Sequence, residues 1–419
     1  MTMEHTGDRR LTVCFVTLIL SQYRVPFHRR VREILAERNI EYRLIYSAPT
    51  GENVAKADTA DLDWATRIPV STFTIAGQTL HWQSPGSHLR HSDLTIVSQE
   101  NKLLLNYLLQ ARYVLFGEKL GFFGHGRSPL KGRLAPLARI VKRFLATRVH
   151  WWFAYTPEVA DLVAGYGFPR ERISINYNAI DTAALVSELD SITASEVRRF
   201  LDDQKIGSGK IGLYLGALYA EKRIDFLIEA AHRIRARVPD FELLVVGAGP
   251  AADLARKAAA ENDFIHYAGP LFDRDKAIAL KASEACLLPG AVGLAILDTF
   301  AAGCPLVTTT APGHGPEVNY LKHGENGILV EDAGSVEAYS NAVTRMMTDE
   351  PYRNRLKAGA RRSSGLFSIE NMARHFSDGV VAALGDGNPD FDSCLSQRTG
   401  QPSQSLELTG NSAWRAEID

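Results

Sequence analysis

Leu288-Pro-Gly-Ala-Val-Gly-Leu-Ala-Ile-Leu-Asp-Thr-Phe-Ala-Ala-Gly-Cys-Pro-Leu-Val-Thr308 decides how the rest of this chain is read. An unbroken apolar run ends at Pro289, a bend carries Gly290 and Gly293, a short apolar helix closes at Gly303, and a second apolar run starts at Leu306. Strand, glycine-rich bend, helix and strand in that order describe one step of a parallel α/β sheet. The bend leaves the N–H groups of the helix's first turn without intrahelical acceptors, at the positive end of the helix dipole, and phosphate binds to such ends. Asp298 is the acidic residue on that helix. A carboxylate there cannot help a phosphate, but it can accept hydrogen bonds from ribose hydroxyls lying beside the helix. The stretch therefore points to a nucleotide ligand.

The same alternation extends in both directions. Apolar runs of strand length occur at Leu11–Leu20, Tyr42–Ser47, Leu94–Ser98, Tyr113–Phe116, Trp151–Tyr155 and Arg172–Tyr177. They recur at Ile211–Gly216, Phe241–Gly247, Phe264–Ala268, Ala285–Pro289, Leu306–Thr309 and Gly327–Val330, with helical-period segments between them. This predicts an α/β protein of two Rossmann-like domains with parallel sheets, at 1–182 and 209–365. Residues 183–208 are polar and acid-rich and lead into Gly207-Ser-Gly209, a composition suited to an interdomain linker. From 386 to 419 the chain turns to Asn, Pro, Ser, Gln and Gly, which predicts a disordered tail.

With 419 residues, a formal net charge of −1 and 45% hydrophobic residues, the chain is long enough for two cores and has the balance neither of a nucleic-acid binder nor of a disordered protein. Cys14, Cys286, Cys304 and Cys394 have no paired spacing, which suits a reducing, cytoplasmic setting. Leu11–Leu20 is too short to cross a bilayer and reads as a buried strand. One asymmetry stands out: no acidic residue occurs between Glu118 and Glu158, an interval that holds Lys119, Arg127, Lys131, Arg133, Arg139, Lys142, Arg143 and Arg148.

The Gly290–Pro305 run resembles the signature of the retaining family 4 glycosyltransferases, which have the GT-B fold, two Rossmann-like domains facing a central cleft. Gly293-Leu294 and Ala301-Ala302-Gly303-Cys304-Pro305 match that signature, and the family carries glutamates at the positions of Gly290 and Asp298. Asp298 keeps a carboxylate for the ribose; Gly290 has no side chain to grip the donor sugar. That grip is left to the amides of Gly290, Ala291, Val292, Gly293 and Leu294 or to something else. The resemblance runs from about Leu11 to Leu384. Tyr23-Arg-Val-Pro-Phe27 and Phe123-Gly-His-Gly126 are similar to a bacterial surface-polysaccharide branch, and helix 366–385 is implied to pack back on the first domain.

Lys222, after the strand ending at Gly216 and at the start of a helix, adds a point charge to backbone donors aimed at an anion, or is a solvated first-turn lysine. The resemblance favours the first, since the family has a Gly-Arg and a Glu-Lys pair here that touch the donor diphosphate. Glu221-Lys222 fits, while Ala217 replaces the arginine and leaves Arg223, or a base of the first domain, to substitute. Gly247-Ala-Gly249-Pro250 is a partial dinucleotide fingerprint, better read as a tight turn with Gly247 lining the crevice. The segment ending at Leu271 resembles the one whose backbone meets the base. His125, between two glycines, corresponds by resemblance to a histidine facing the donor sugar, and Glu317 is either a donor-side residue or a helix-start acid. Asp61-Leu-Asp63, Asp273-Arg-Asp275 and Asp390-Phe-Asp392 sit at no strand end, and Asp273 suits an N-cap, so neither metal nor cofactor is expected.

A helix from about Pro136 would carry Leu137, Ile140, Val141, Phe144 and Leu145 on one side and Arg139, Lys142 and Arg143 on the other. It is either the basic outer face of a core helix or, with Arg24, Arg29, Arg30 and Arg32, a surface for anionic lipid through 127–148. The resemblance implies a retaining, metal-independent transferase moving a sugar from a nucleoside-diphosphate sugar to a glycan or lipid-linked acceptor, in the cytoplasm or on the membrane's inner face. An epimerase or hydrolase on the same fold and a silent nucleotide-sugar binder remain alternatives.

Overall fold

The computed structural model describes residues 10–48, 59–75, 77–126, 140, 143–207 and 209–386. The first sheet contains β1 (Leu11–Val16), β2 (Ile40–Ser47), β3 (Thr66–Ile68), β6 (Leu94–Ser98), β7 (Leu120–Gly124), β8 (Trp151–Ala154) and β9 (Ile173–Ile175), with β4 (Val70–Ile75) and β5 (Gln78–Gln83) forming a separate hairpin. Its order is β3-β2-β1-β6-β7-β8-β9, and every neighbouring pair is parallel. The second sheet contains β10 (Lys210–Leu215), β11 (Phe241–Val246), β12 (Ile265–Gly269), β13 (Ala285–Leu288), β14 (Leu306–Thr309) and β15 (Gly327–Val330), in the order β12-β11-β10-β13-β14-β15 and again all parallel. The central strands are buried on both faces, which is why their sequences are apolar without alternation.

In each sheet the chain moves outward on one side of its first strand and then returns to the other side. The reversal lies between β1 and β6 in the first sheet and between β10 and β13 in the second. Loops leaving the C-terminal ends of such strand pairs part in opposite directions and open a crevice.

Two elements differ from the sequence reading. Tyr113–Phe116 is the last turn of a helix, Leu104–Phe116, closed by Gly117 at φ +70°, and the strand is the next segment, Leu120–Gly124. Four apolar residues fit either structure; the preceding Leu104–Arg112 supplies a helix for them to extend. Residues 183–208 hold two helices, Ala183–Ser191 and Ala194–Asp203, the second begun by a Thr193–Glu196 capping box. They are fastened to the second domain: Arg274 pairs with Glu196 at 2.6 Å, and Lys281 Nζ donates to the carbonyls of Leu189 and Ile192 at 2.6 and 2.9 Å. The polar composition that suggested a linker thus belongs to helix faces that pair with Arg274 and Lys281. Residues 387–419 of the expected tail lie outside the described residues.

The last helix, Ile369–Gly385, packs on the first domain's helix Val25–Glu37, with Arg30–Glu370 and Arg38–Asp378 ion pairs of 2.6 Å along the seam. Phe376 sits at the centre, fully buried, with its ring 4.7 to 6.0 Å from those of Phe153, Phe27, Phe123 and Phe15. Lys119 Nζ donates to the carbonyls of Ala383 and Leu384 at 3.1 and 2.8 Å, satisfying the helix's last turn. Phe376→Ala is expected to cost about 3–5 kcal/mol of the first domain's stability, read as a lower urea midpoint with little change in nucleotide affinity.

Candidate functional site

Because β10 pairs with β13, Leu213 opposite Cys286, the loops leaving them lie side by side. The first loop turns through Ala220–Lys222 into helix Ile224–Arg237; the second runs from Pro289 to Leu294 into helix Ala295–Ala302. They are bonded to each other. The Ala291 N–H donates to the Glu221 carbonyl at 2.9 Å, and Lys222 Nζ donates to the Ala291 carbonyl. Gly290 makes this approach possible: a Cβ there would lie 2.2 Å from the Glu221 oxygen and 2.6 Å from the Lys222 carbonyl carbon. The glutamate that the resemblance places at this position is missing because the two backbones leave no room for a side chain.

The closeness also corrects the expectation that the amides from Gly290 to Leu294 form an open cradle. Ala291 is committed to Glu221, and the Val292 N–H donates to His314 Nδ1 at 3.0 Å. His314 Nε2 in turn donates to the Thr309 carbonyl at 2.9 Å, and burial together with the nearby Lys222 charge holds its pKa below the ordinary histidine value. Among the described residues, the N–H groups of Gly290, Gly293 and Leu294 have no protein acceptor, the last two at the helix mouth. Sequence reasoning missed His314; its flanking Gly313 and Gly315 were the available signal.

Lys222 points at this mouth, as its bond to Ala291 requires, and burial lowers its pKa, with Glu221 opposing. Arg223 turns away at φ +58°: its guanidinium donates to the Ala333 carbonyl at 2.7 Å and lies 4.0 Å from the Phe226 ring centre. It does not stand in for the arginine missing at Ala217. Asp298 falls in the first turn of its helix, which begins at Ala295. Its Oδ2 is 3.2 Å from Lys276 Nζ; burial raises its pKa, and Lys276 opposes the rise. The carboxylate expected to stand free for a ribose is half of an ion pair with a lysine that no spacing rule singled out.

Gly216, Gly247 and Leu271 mark a common rim. At Gly247, φ is +148° and a Cβ would lie 1.9 Å from the Gly216 oxygen, so the turns after β10 and β11 cross there on bare backbone. The Gly247 N–H donates to the Gly269 carbonyl at 2.8 Å, which fixes the turn leading to half-buried Leu271.

The first domain contributes the opposite wall. His125 follows β7, exposed, with its ring 6.4 Å from that of Tyr155. Loops leaving β1 and β6 enclose a cavity of about 240 Å³ lined by Arg24, Lys102, Glu100 and Tyr155 among others. Glu317 is a helix-start acid, in the first turn of the short helix Pro316–Tyr320, and it is buried and accepts from Asn178 Nδ2 at 2.5 Å. Its loop is tied to the helix mouth through the Gly315 N–H, which donates to the Val292 carbonyl at 2.7 Å.

The basic surface is partly different from its expected form. Arg30 pairs with Glu370 and Glu33, and Arg32 lies 4.6 Å from the Trp64 ring centre, so both are engaged by protein. Residues 127–139, 141 and 142 of the expected amphipathic helix lie outside the described residues. Ile140 and Phe144, assigned to its core side, are 66% and 54% exposed. Of the acidic pairs, Asp61 accepts from the Tyr46 hydroxyl at 2.6 Å, Asp273 is the first helical residue with Phe272 at the N-cap, and Asp390-Phe-Asp392 lies outside the described residues.

Residues 209–349, the second domain's sheet and most of its helices, match the family described as Glycosyl transferases group 1. The lipopolysaccharide core biosynthesis glycosyltransferase LpsE of Rhizobium meliloti is 28% identical over 229 residues, 51% of this chain and 59% of that protein. The putative glycosyltransferase YtcC of Bacillus subtilis is 24% identical over 297 residues, 66% of this chain and 67% of that protein. The chain thus spans 59% to 67% of the length of these two curated relatives. Among solved structures, Anabaena Alr3699/HepE in complex with UDP superposes with a TM-score of 0.64 at 14% identity, covering 88% of this chain and 99% of that one. Two parallel-sheet Rossmann-like domains in this arrangement constitute the GT-B fold.

Gly290→Glu, which restores the family's residue, is expected to damage the site. Separating the loops should cost about 1–3 kcal/mol, seen as a lower melting temperature and weaker UDP binding by calorimetry.

Proposed function

We propose that this protein is a retaining, metal-independent glycosyltransferase that moves a sugar from a nucleoside-diphosphate sugar to a glycan or lipid-linked acceptor in cell-surface polysaccharide synthesis. The observation that carries the proposal is Lys222, half-buried and aimed at the mouth of helix Ala295–Ala302, where the Gly293 and Leu294 amides are open. A lysine ammonium and a helix N-terminus at a sheet's switch point suit a diphosphate. Resemblance to LpsE supports a saccharide acceptor, and the UDP held by HepE supports the donor class.

In this reading the diphosphate lies against Lys222 and the two amides. The ribose meets the Asp298 oxygen that Lys276 leaves available, and the base lies along the rim at Leu271. The acceptor lies in the first domain. As the bond from the sugar's anomeric carbon to phosphate oxygen breaks, Lys222 and the helix end stabilise charge developing on the leaving group. The acceptor oxygen bonds to the same face of that carbon and passes its proton to the departing phosphate, while His125 hydrogen-bonds the sugar. Closure of the cleft excludes water.

Lys222→Ala should lower UDP affinity and turnover at least tenfold, the scale of a lost charge-assisted hydrogen bond, and wild-type values in that variant would refute the assignment. Because burial lowers the Lys222 pKa, its charge is lost at a less alkaline pH than that of an ordinary lysine. UDP affinity should therefore fall as pH rises through that value. Lys222→Arg, which stays charged, should keep its affinity to higher pH in calorimetric titrations. Product analysis separates the alternatives: consumption of nucleotide sugar without acceptor indicates an epimerase or hydrolase, and binding without product under any acceptor indicates a silent binder.

We further propose that the first domain docks on an anionic membrane. Among the described residues no helix is long and apolar enough to cross one. Leu115 and Phe116 are 71% and 72% exposed, at the end of a helix whose Gln110 side chain donates to the Leu145 carbonyl at 2.6 Å, and Phe144 is exposed next to it in sequence. This apolar surface adjoins the acid-free, basic interval in the chain, a combination suited to anionic lipid. Leu115→Glu with Phe144→Glu should abolish co-flotation with phosphatidylglycerol vesicles while leaving UDP affinity unchanged; undiminished flotation would exclude this surface.

A further inference from the structure

The cavity of about 240 Å³ in the first domain sits at that sheet's own switch point, between the loops leaving β1 and β6. Its two cations are held differently. Lys102 is paired with Glu100 at 3.0 Å. His28 Nδ1 is 2.8 Å from the Tyr42 hydroxyl, and burial together with the Arg24 charge pushes its pKa down to about 3, so it is neutral. Arg24 is left. Its guanidinium reaches the Tyr155 hydroxyl at 3.4 Å and the weakly accepting Met372 sulfur at 3.8 Å, is favoured further by the Tyr23 side chain, and lies 5.0 to 5.8 Å from the ring centres of Tyr23, Phe123 and Tyr155. Among the described residues no carboxylate forms an ion pair with it. Aromatic faces offset part of the cost of withdrawing a cation from water, and a matched anion offsets more.

The direction Arg24 faces adds a second argument. Glu317 of the second domain is near enough for its charge to be felt at Arg24, and the Glu317 loop is bonded through Gly315 to Val292 at the helix mouth. Arg24, bonded to Tyr155 whose carbonyl accepts from the Tyr320 hydroxyl at 3.4 Å, therefore lies on the side of its cavity nearest the second domain. We infer that this cavity is an anion site in which Arg24 is the cation that holds a phosphate of the substrate. The inference rests on the transferase reading above. Two phosphates have the right chemistry: the donor's diphosphate, reached across the cleft, and a phosphate carried by the acceptor.

The test measures binding of two probes, UDP and geranyl pyrophosphate, to the full chain by calorimetry. In Arg24→Gln, a loss of at least tenfold for UDP assigns the site to the donor, and the same loss for geranyl pyrophosphate, measured with UDP saturating, assigns it to the acceptor. Arg24→Lys should recover most of the lost affinity, which a merely structural arginine would not allow. If Arg24→Gln fails to fold, Ser98→Glu, on the same cavity wall, supplies a competing carboxylate and should weaken the same probe. Unchanged affinity for both probes in Arg24→Gln, or in Ser98→Glu where the first is unfolded, overturns the inference. Failure of the transferase reading looks different: wild type would not bind UDP, or Lys222→Ala would bind it as wild type does.

Discussion

Two loop backbones touch at Gly290, and the geometry of the second domain's crevice follows from that contact. With no side chain between them, the Ala291 amide reaches the Glu221 carbonyl and Lys222 folds back onto the Ala291 carbonyl. The ammonium is thereby held beside the first turn of helix Ala295–Ala302. The residue that makes the clasp is the one at which the resemblance places a carboxylate.

The clasp also limits what the backbone offers. Two amides of the bend are consumed by Glu221 and His314, which stiffens the loop and leaves the donors of the helix mouth itself. Positive charge on this side is concentrated in Lys222, since Arg223 is drawn off to Ala333 and the Phe226 ring. The Gly315 N–H bond to the Val292 carbonyl and the Asn178 bond to Glu317, two residues further on, tie the crevice to the segment that leaves the first sheet. Both crevices thus arise from the same topological event, a reversal of strand order.

The elements most legible in the sequence were those whose signal is local and long. Eleven of the twelve proposed strand runs overlap observed strands, because a strand buried on both faces has to be apolar throughout. Tyr113–Phe116 failed because four apolar residues carry no period of their own. The 183–208 segment was misjudged because a polar surface helix and a linker share a composition, and its partners, Arg274 and Lys281, lie far along the chain. Lys222 was recoverable from its place after a strand and before a helix. The ion pair of Asp298 with Lys276 and the cap that His314 gives Val292 join residues on separate elements, and neither pairing has a fixed spacing.

The sequence by itself determined the two-domain parallel architecture and the glycine-rich entry to helix Ala295–Ala302, since these depend on apolar period and on backbone freedom, properties each segment carries alone. Only the tertiary structure decided which amides remain open, that Lys222 folds back onto the Ala291 carbonyl and that Arg24 sits among the Tyr23, Phe123 and Tyr155 rings. Those outcomes depend on distances between loops brought together by strand order, and a hydrogen bond or a charge is directed by whatever neighbour folding places within its reach.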